Sequence, residues 1–241
     1  PLFLLTSDQD WAPPWAMQAL LEATDGTPLH LFRTNPCPVA DEAFASGRIS
    51  QGWHPNLLPG SSHGRSPEET IAYMQQRFPG CNTARNHAYH TDTHFDRLLF
   101  EAGIRVDSQI ATLWQERLVP LADVSGTFRL PVFFEDDVFF HHHGPDLDVS
   151  SVLNRLFSPG LKVFNLHATF LACNTPSDNH YKEHRDRIFG TESPRPGVMH
   201  QGRGSHTVFA ELRKHVETKG GKFQCFQTLA DQIIENTIHD S

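Results

Sequence analysis

Short apolar runs of the kind that fill a buried parallel strand recur along the chain, most of them followed by a segment of helical periodicity. The first, Leu2 to Leu5, passes into polar Thr6–Asp10 and stops at Pro13-Pro14. Residues 13–24 read as a helix, with proline in the first turn and Asp25-Gly26 as the stop. A strand over 29–33, a helix over 38–46 ending at Gly47 and a strand over 48–53 follow. After a loop dense in turn formers at 55–64, Ser66-Pro67-Glu68-Glu69 opens a helix to about Phe78, with Ser66 as N-cap and Glu69 three residues on. A strand over 82–85, a histidine-rich loop over 87–94, a helix over 94–102 and a strand over 103–108 come next. Residues 110–134 read as a small β excursion ending in Phe128–Phe134. Helix 149–157, strand 161–166, a polar loop from 174 to 203, helix 205–218, strand 222–226 and helix 227–238 complete the pattern.

Such alternation predicts an α/β fold with a parallel sheet covered by helices. About seven strand–helix units in 241 residues favour a distorted (β/α) barrel over an open sheet, with residues 1–241 as a single domain.

Composition narrows the function classes. A hydrophobic fraction of 38% with 20% charged residues supports a packed core and argues against disorder. The net charge of −8 excludes the basic stripe of a nucleic-acid surface. No apolar run approaches the roughly 18 residues of a membrane helix, and no signal-peptide pattern precedes the first strand, so the expectation is a cytoplasmic protein. Cys37, Cys81, Cys173 and Cys225 are scattered with no Cys-x-x-Cys pair and read as free thiols of a reducing compartment. Histidine is the outlier, at sixteen residues.

The candidate chemistry lies where the strands end. Asp8 and Asp10 follow the first strand, His54 the third, Arg85-Asn86-His87 the fourth, Glu135-Asp136-Asp137 the apolar run before it, and His167 the strand at 161–166. The C-terminal edge of a parallel sheet is where α/β folds collect ligands. Aspartate with histidine suits a borderline divalent ion such as zinc. His141-His142-His143 reads instead as a solvated loop, because three adjacent side chains cannot converge on one ion, and His90 and His94 read as loop or helix-start residues. Trp11, Trp53, Phe133, Phe134 and Phe170 lie beside the proposed site, as core aromatics or as stacking platforms for sugar rings.

These residues resemble the polysaccharide deacetylases with a NodB-homology domain, carbohydrate esterase family 4, and more closely a branch found in lipopolysaccharide O-antigen gene clusters. The landmarks are Thr6–Pro13, His54-Pro55-Asn56 with Leu58–Gly64, Arg85-Asn86-His87, Pro131–Asp137 and Phe164–His167, in family order and nearly end to end. The resemblance implies a distorted (β/α) barrel that removes N-acetyl groups from sugars with a divalent metal, zinc first and cobalt, nickel or manganese as alternatives. It assigns Asp8 as general base, Asp10 and His54 as metal ligands, His167 as general acid, Arg85 as the residue holding the base, and Asp136 or Asp137 as the acid orienting His167. Trp11, His87 and Phe134 are taken as substrate contacts.

Two departures stand out. Gln9 separates acids that are adjacent in the common pattern, and Leu58 stands where the second metal imidazole belongs. His63 is the nearer replacement, with His87 as its rival. The implied function is hydrolysis of an N-acyl group on a surface polysaccharide or its precursor, with a carbohydrate partner. The competing expectations are a metal-containing carbohydrate-binding module without turnover, and a formamide or cyclic-amide hydrolase on the same barrel. The 174–203 segment is a candidate lid with Gly202 and Gly204 as hinges.

Overall fold

The computed structural model describes residues 1–144, 146, 148–190 and 197–239. The first half alternates as the pattern predicts: β1 (Leu2–Asp8), α1 (Pro14–Ala23), β2 (Leu29–Arg33), α2 (Pro38–Ala45), β3 (Ile49–Trp53), α3 (Pro67–Arg77), β4 (Thr83–Ala84), α4 (Thr93–Glu101) and β5 (Val106–Asp107). Then come β6 (Leu121–Ala122), β7 (Phe128–Arg129), β8 (Val132–Glu135), α5 (Asp136–His143), α6 (Leu153–Leu156), β9 (Leu161–His167) and α7 (Ala168–Ala172). The chain ends through α8 (Asp178–Phe189), α9 (Ser205–Thr218), β10 (Phe223–Gln224) and α10 (Phe226–His239). Among the described residues no helix is long and apolar enough to cross a membrane.

One curled, mostly parallel sheet holds these strands in the order β6-β7-β5-β4-β3-β2-β1-β9-β8, with β10 attached to β1. The seven-strand barrel expectation needs correcting in two respects. The path has two ends, and β6 pairs antiparallel to β7. The segment after β5 reaches β8 through the isolated bridge Ala111 to Val132 and a few backbone hydrogen bonds over 110–114, not through a strand ladder among the described residues. The cause is strand length, since β4, β5 and β7 carry two residues each and too few ladder bonds to define long edges.

Register sets the level of every side chain that matters. β1 and β9 pair from Leu2–Leu161 through Thr6–Asn165 to Asp8–His167, and β8 places Glu135 opposite Asn165. Because side chains alternate faces, Thr6 with Asp8 and Asn165 with His167 share one side of their strands, while Leu5 and Phe164 point to the other. That other side carries Phe3, Phe133 and Phe134 packed around Phe164, all buried in the main core.

Three helices went unread in the sequence, α5, the five-residue α7 and α8. α5 covers residues read as a polar strand end and a loop, so His141–His143 form its exposed last turn rather than a loop. α8 lies inside the supposed 174–203 loop: Ser177 caps it through the His180 amide, and Ile188 is its only fully buried residue. Residues 191–196 of that segment lie outside the described residues. Gly204 is packed rather than hinge-like, for a Cβ there would meet the Asn174 carbonyl oxygen at 1.9 Å. A Cβ on Gly202 would likewise meet His200 Nε2 at 2.5 Å. Phe134 and Trp53 are core residues, the first against Trp114, Phe139 and Phe164, the second donating its indole N–H to the Phe78 carbonyl at 2.8 Å. Phe134 therefore offers no face to a substrate.

Gly52 marks a close approach inside the sheet. A Cβ would stand 2.4 Å from Thr83 Oγ1 and 2.8 Å from His30 Nε2, atoms already hydrogen-bonded to each other at 3.0 Å. Gly52→Ala is expected to destabilise the fold by about 1–3 kcal/mol through overpacking, read from the urea midpoint at unchanged slope.

Candidate active site

The chain leaves β1 through two consecutive left-handed residues, Asp10 at φ 46° and Trp11 at φ 56°. Non-glycine residues hold such angles only where their surroundings impose them, and functional sites are where they gather. Here the turn is pinned on both sides. The Asp10 amide donates to Thr34 Oγ1 at 3.1 Å, and the Gln9 side chain turns away to accept from Arg33 Nε and the Thr34 amide, each at 3.1 Å. Gln9 thus tethers β1 to the end of β2, and the extra residue leaves Asp8 and Asp10 facing the same cavity.

Asp8 sits at the centre of a buried network. Its Oδ1 accepts from Arg85 Nη1 at 3.0 Å and its Oδ2 from Asn165 Nδ2 at 2.9 Å. The Arg85 guanidinium also donates to the Ser108 carbonyl, Ser108 Oγ, Thr6 Oγ1 and Asn165 Oδ1, and it lies 4.4 Å over the Phe32 ring. Burial opposes ionisation of Asp8. The charges of Arg85, His54 and His167 prevail and hold its carboxyl below the ordinary range.

Around Asp10 two imidazoles converge. His54 Nε2 stands 3.0 Å and His87 Nδ1 2.8 Å from Asp10 Oδ1. His87 is brought there by a second left-handed pair, Ala88 and Tyr89, at φ 56° and 53°. Against the cost of burial, the charge and hydrogen bond of His54 and the hydrogen bond of His87 hold Asp10 well below the carboxylate range. The two aspartates in turn raise His54 in spite of its burial. Asp10, His54 and His87 form one of three groups of ligand-type atoms lying within 4.8 Å of one another among the described residues. The others, Asp8-Glu135-His167 and Asp136-Asp137-His167, share His167.

His63, preferred over His87 as the third ligand in the sequence, is in none of these groups, whereas His87 is in the first. Its Nδ1 accepts the Asn56 amide at 3.1 Å and its ring stacks on Tyr73 at 4.7 Å. Burial, then the charges of His54 and His87, push it down to about 4. Trp11 spans the two candidates, with its ring 5.7 Å from His63 and 5.2 Å from His87.

His167 faces Asp8 and Asp10 with Nε2, at 3.8 and 3.5 Å from their nearer oxygens. Its Nδ1 stands 2.8 Å from Asp136 Oδ1 but 3.8 Å from Asp137, so geometry selects Asp136 as the orienting acid. Asp136 is itself fixed by Ser205 Oγ of α9 at 2.6 Å and by the His167 amide. Burial would strip the imidazolium of its proton, yet the charge of Asp137 and the hydrogen bond of Asp136 raise His167 well above the ordinary histidine value. A depressed carboxyl and an elevated imidazole facing each other across one cavity divide base from acid.

Glu135 and Asn165 are the residues the sequence reading left without a role. Asn165 bonds both Asp8 and Glu135, the latter at 3.0 Å, and Glu135 is pushed up to about 8 by burial and then by the charge of Asp137. Two-residue alternation back from His167 was the available signal for Asn165.

Asp8, Asp10, His54, His87, Glu135, Asp137 and His167 open on a cavity of about 810 Å³, walled by Trp11, Tyr89, Phe170 and one side of α8. The arrangement is that of a hydrolase for a neutral acyl bond. The sequence model of the WbmS-like polysaccharide deacetylase family matches residues 5–185, and the chain belongs to that family. It is therefore an enzyme of the carbohydrate N-deacetylase class. Among solved structures it is similar to a Bordetella bronchiseptica protein assigned as a polysaccharide deacetylase of O-antigen biosynthesis, at 22% identity and a TM-score of 0.76, covering 88% of this chain and 90% of that one. A 4-alpha-glucanotransferase from Thermococcus litoralis shares the fold at 9% identity and a TM-score of 0.54, covering 96% of this chain and 38% of that one. None of the curated proteins matches it.

Asp136→Asn is expected to lower the rate by roughly 10–100-fold and to move the alkaline limb of the pH–rate profile to lower pH, because His167 loses the partner that raises it. For stability the aspartates act in the opposite direction. A depressed carboxyl contributes stability above its unfolded value, lost as pH falls through the folded one, so Asp8→Asn should show a smaller stability loss than wild type between pH 7 and 3 in denaturant titrations, at about those two pH values.

Proposed function

We propose that the chain is a metal-dependent hydrolase that removes an N-acetyl group from a sugar of a surface polysaccharide such as O-antigen, or from its precursor. The observation that carries this reading is the Asp10-His54-His87 group beside Asp8 and His167, one carboxyl held ionised and one imidazole held protonated.

The donor set fits a divalent cation. One carboxylate and two imidazoles with an open cavity side are the ligands of a catalytic zinc, and the buried His54 Nδ1 has no hydrogen-bond partner among the described residues. The other two groups fit less well. Asp8 is already committed to Arg85 and Asn165, and His167 Nδ1 to Asp136. A zinc ion held by Asp10, His54 and His87 would polarise the acyl oxygen and make a bound water acidic near neutral pH.

The chain's own residues supply the proton movements. Asp8, aimed by Arg85 and Asn165, takes the proton from the attacking water. His167, with Asp136 fixing its Nδ1 side, gives the Nε2 proton to the leaving nitrogen, which departs as an amine rather than an amide anion. Trp11, Phe170 and Tyr181 present faces on which a sugar ring packs. The unpaired thiols support a cytoplasmic, precursor-directed enzyme.

The test joins elemental analysis to acetate release from N-acetylated sugars. Wild type should retain about one zinc per chain and release acetate, and Asp10→Ala should lose both, with a rate drop of at least about 100-fold. A wild type that takes up no divalent metal sinks the reading. His87→Ala should cost more metal affinity than His63→Ala, roughly 10-fold or more, and the reverse order would return His63 to the ligand set.

A further inference from the structure

One face of α8 forms a wall of the cavity through Tyr181, Lys182, Arg185, Asp186 and Phe189. These positions fall on a single side of a helix, as residues one, four, five and eight apart do. Tyr181 is half-buried, its ring 4.8 Å from Phe170, which in turn lies 5.9 Å from the His167 ring. The aromatic strip therefore runs outward from the acid group to the helix, where Lys182 and Arg185 stand exposed at the mouth.

Neither cation makes an ion pair among the described residues, although acidic residues outnumber basic ones by 28 to 20 in the chain and Asp186 lies on the same wall. Other arginines near the site are paired, Arg85 with Asp8 and Arg33 with Asp41. The cavity is consequently polarised. Asp8, Asp10, Glu135 and Asp137 line its floor together with His54, His87 and His167, which with Arg85 behind Asp8 offset their charge. Lys182 and Arg185, without an ion pair among the described residues, line its rim with Asp186. A negatively charged substrate group finds uncompensated positive charge at that rim, whereas a neutral acetamido group needs none at the bottom.

We propose that the substrate carries an oxyanionic group, a phosphate ester or a carboxylate, attached to the N-acylated sugar and received by Lys182 and Arg185 of α8 while the acyl group enters the acidic floor. The proposal rests on the deacetylase reading for its acyl end, but the recognition of the anion is a binding event measurable without turnover.

The experiment is a calorimetric titration of the zinc-loaded, full-length protein. The probes are N-acetylglucosamine 1-phosphate, the uronic acid of N-acetylglucosamine, and neutral N-acetylglucosamine, with inorganic phosphate and pyrophosphate as competitors. Wild type should favour at least one anionic sugar over the neutral one. Lys182→Ala/Arg185→Ala should reduce that preference about tenfold, and Lys182→Glu/Arg185→Glu should abolish it. Raising ionic strength should erode the preference in wild type and leave little to erode in the double variants. Preference for the phosphate or for the uronate distinguishes the two sources of the charge. An anionic-to-neutral affinity ratio unchanged by the double substitution overturns the proposal. So does a wild type in which no anionic probe, phosphate and pyrophosphate included, binds measurably. Anion discrimination without acetate release would instead remove the deacetylase reading and leave this site standing.

Discussion

A guanidinium and a carboxylate buried together near the middle of the sheet are the constraint around which this molecule is arranged. Arg85 has no exposed surface and Asp8 only 3%. Taking both charges out of water costs several kcal/mol per ion, and the attraction between them offsets that only when the remaining donors and acceptors are satisfied. Arg85 meets the condition through Ser108, Thr6, Asn165 and Asp8, which belong to the segment after β5 and to strands β1 and β9. A one-residue slip of β1 against β9 would turn Asp8 or Asn165 into the apolar core and leave the guanidinium unpaired. The pair is thus a register device, and the same contacts that hold the sheet together favour the ionised form of Asp8.

The strained turns follow from that constraint. With Asp8 committed to Arg85, the second carboxylate that meets the two imidazoles must come from elsewhere yet face the same cavity. Asp10 does so because Gln9 is turned outward and locked on Arg33 and Thr34, while Asp10 and Trp11 take left-handed angles. Each such residue costs on the order of 1–3 kcal/mol, tolerable only where neighbouring contacts over-determine the turn. The matching left-handed pair at Ala88 and Tyr89 carries His87 to the opposite side of Asp10, and the His87 amide is anchored on the Pro55 carbonyl at 2.9 Å. Two strained turns, from different strand ends, meet at one carboxylate oxygen.

Much of this was legible in the chain. Strands β1, β2 and β9 announce themselves by apolar runs, and Asp8, His54, His87 and His167, at or just past the ends of β1, β3, β4 and β9, sit at the cavity because parallel strands present their C-terminal ends to one edge. What was not legible has local causes. α8 reads as a loop because nine of its twelve residues are polar or charged, and Tyr181, Ile188 and Phe189 at its packed positions are too few to show a stripe. Barrel closure depends on two-residue strands with no pattern of their own. His63 drew attention by proximity in sequence, but the turn that brings His87 to Asp10 is encoded in backbone angles of Ala88 and Tyr89, for which neither residue type is a signal. Phe134 was misread because an apolar strand end and a sugar platform have the same composition, and only the packing against Trp114 and Phe164 separates them.

The cavity floor also shows why two acid groups can be tuned in opposite directions within a few ångströms. Asp8 and Glu135 are both buried and both bonded to Asn165, yet Asp8 is depressed and Glu135 pushed up to about 8. Desolvation acts on both, so it cannot be the difference. What differs is the company: Asp8 accepts directly from Arg85 and faces His54, whereas Glu135 has the charge of Asp137 next to it and an Oε2 without a hydrogen-bond partner among the described residues. Asn165, a neutral amide that accepts from Arg85 and donates to both carboxyls, keeps the two from competing for the guanidinium. A carboxylate in its place would add a third acid to the floor, and an apolar side chain would remove hydrogen bonds to four partners at once, Thr6, Arg85, Asp8 and Glu135. The opposite tuning of the two acids therefore follows from their charged neighbours, with one amide bonded to both between them.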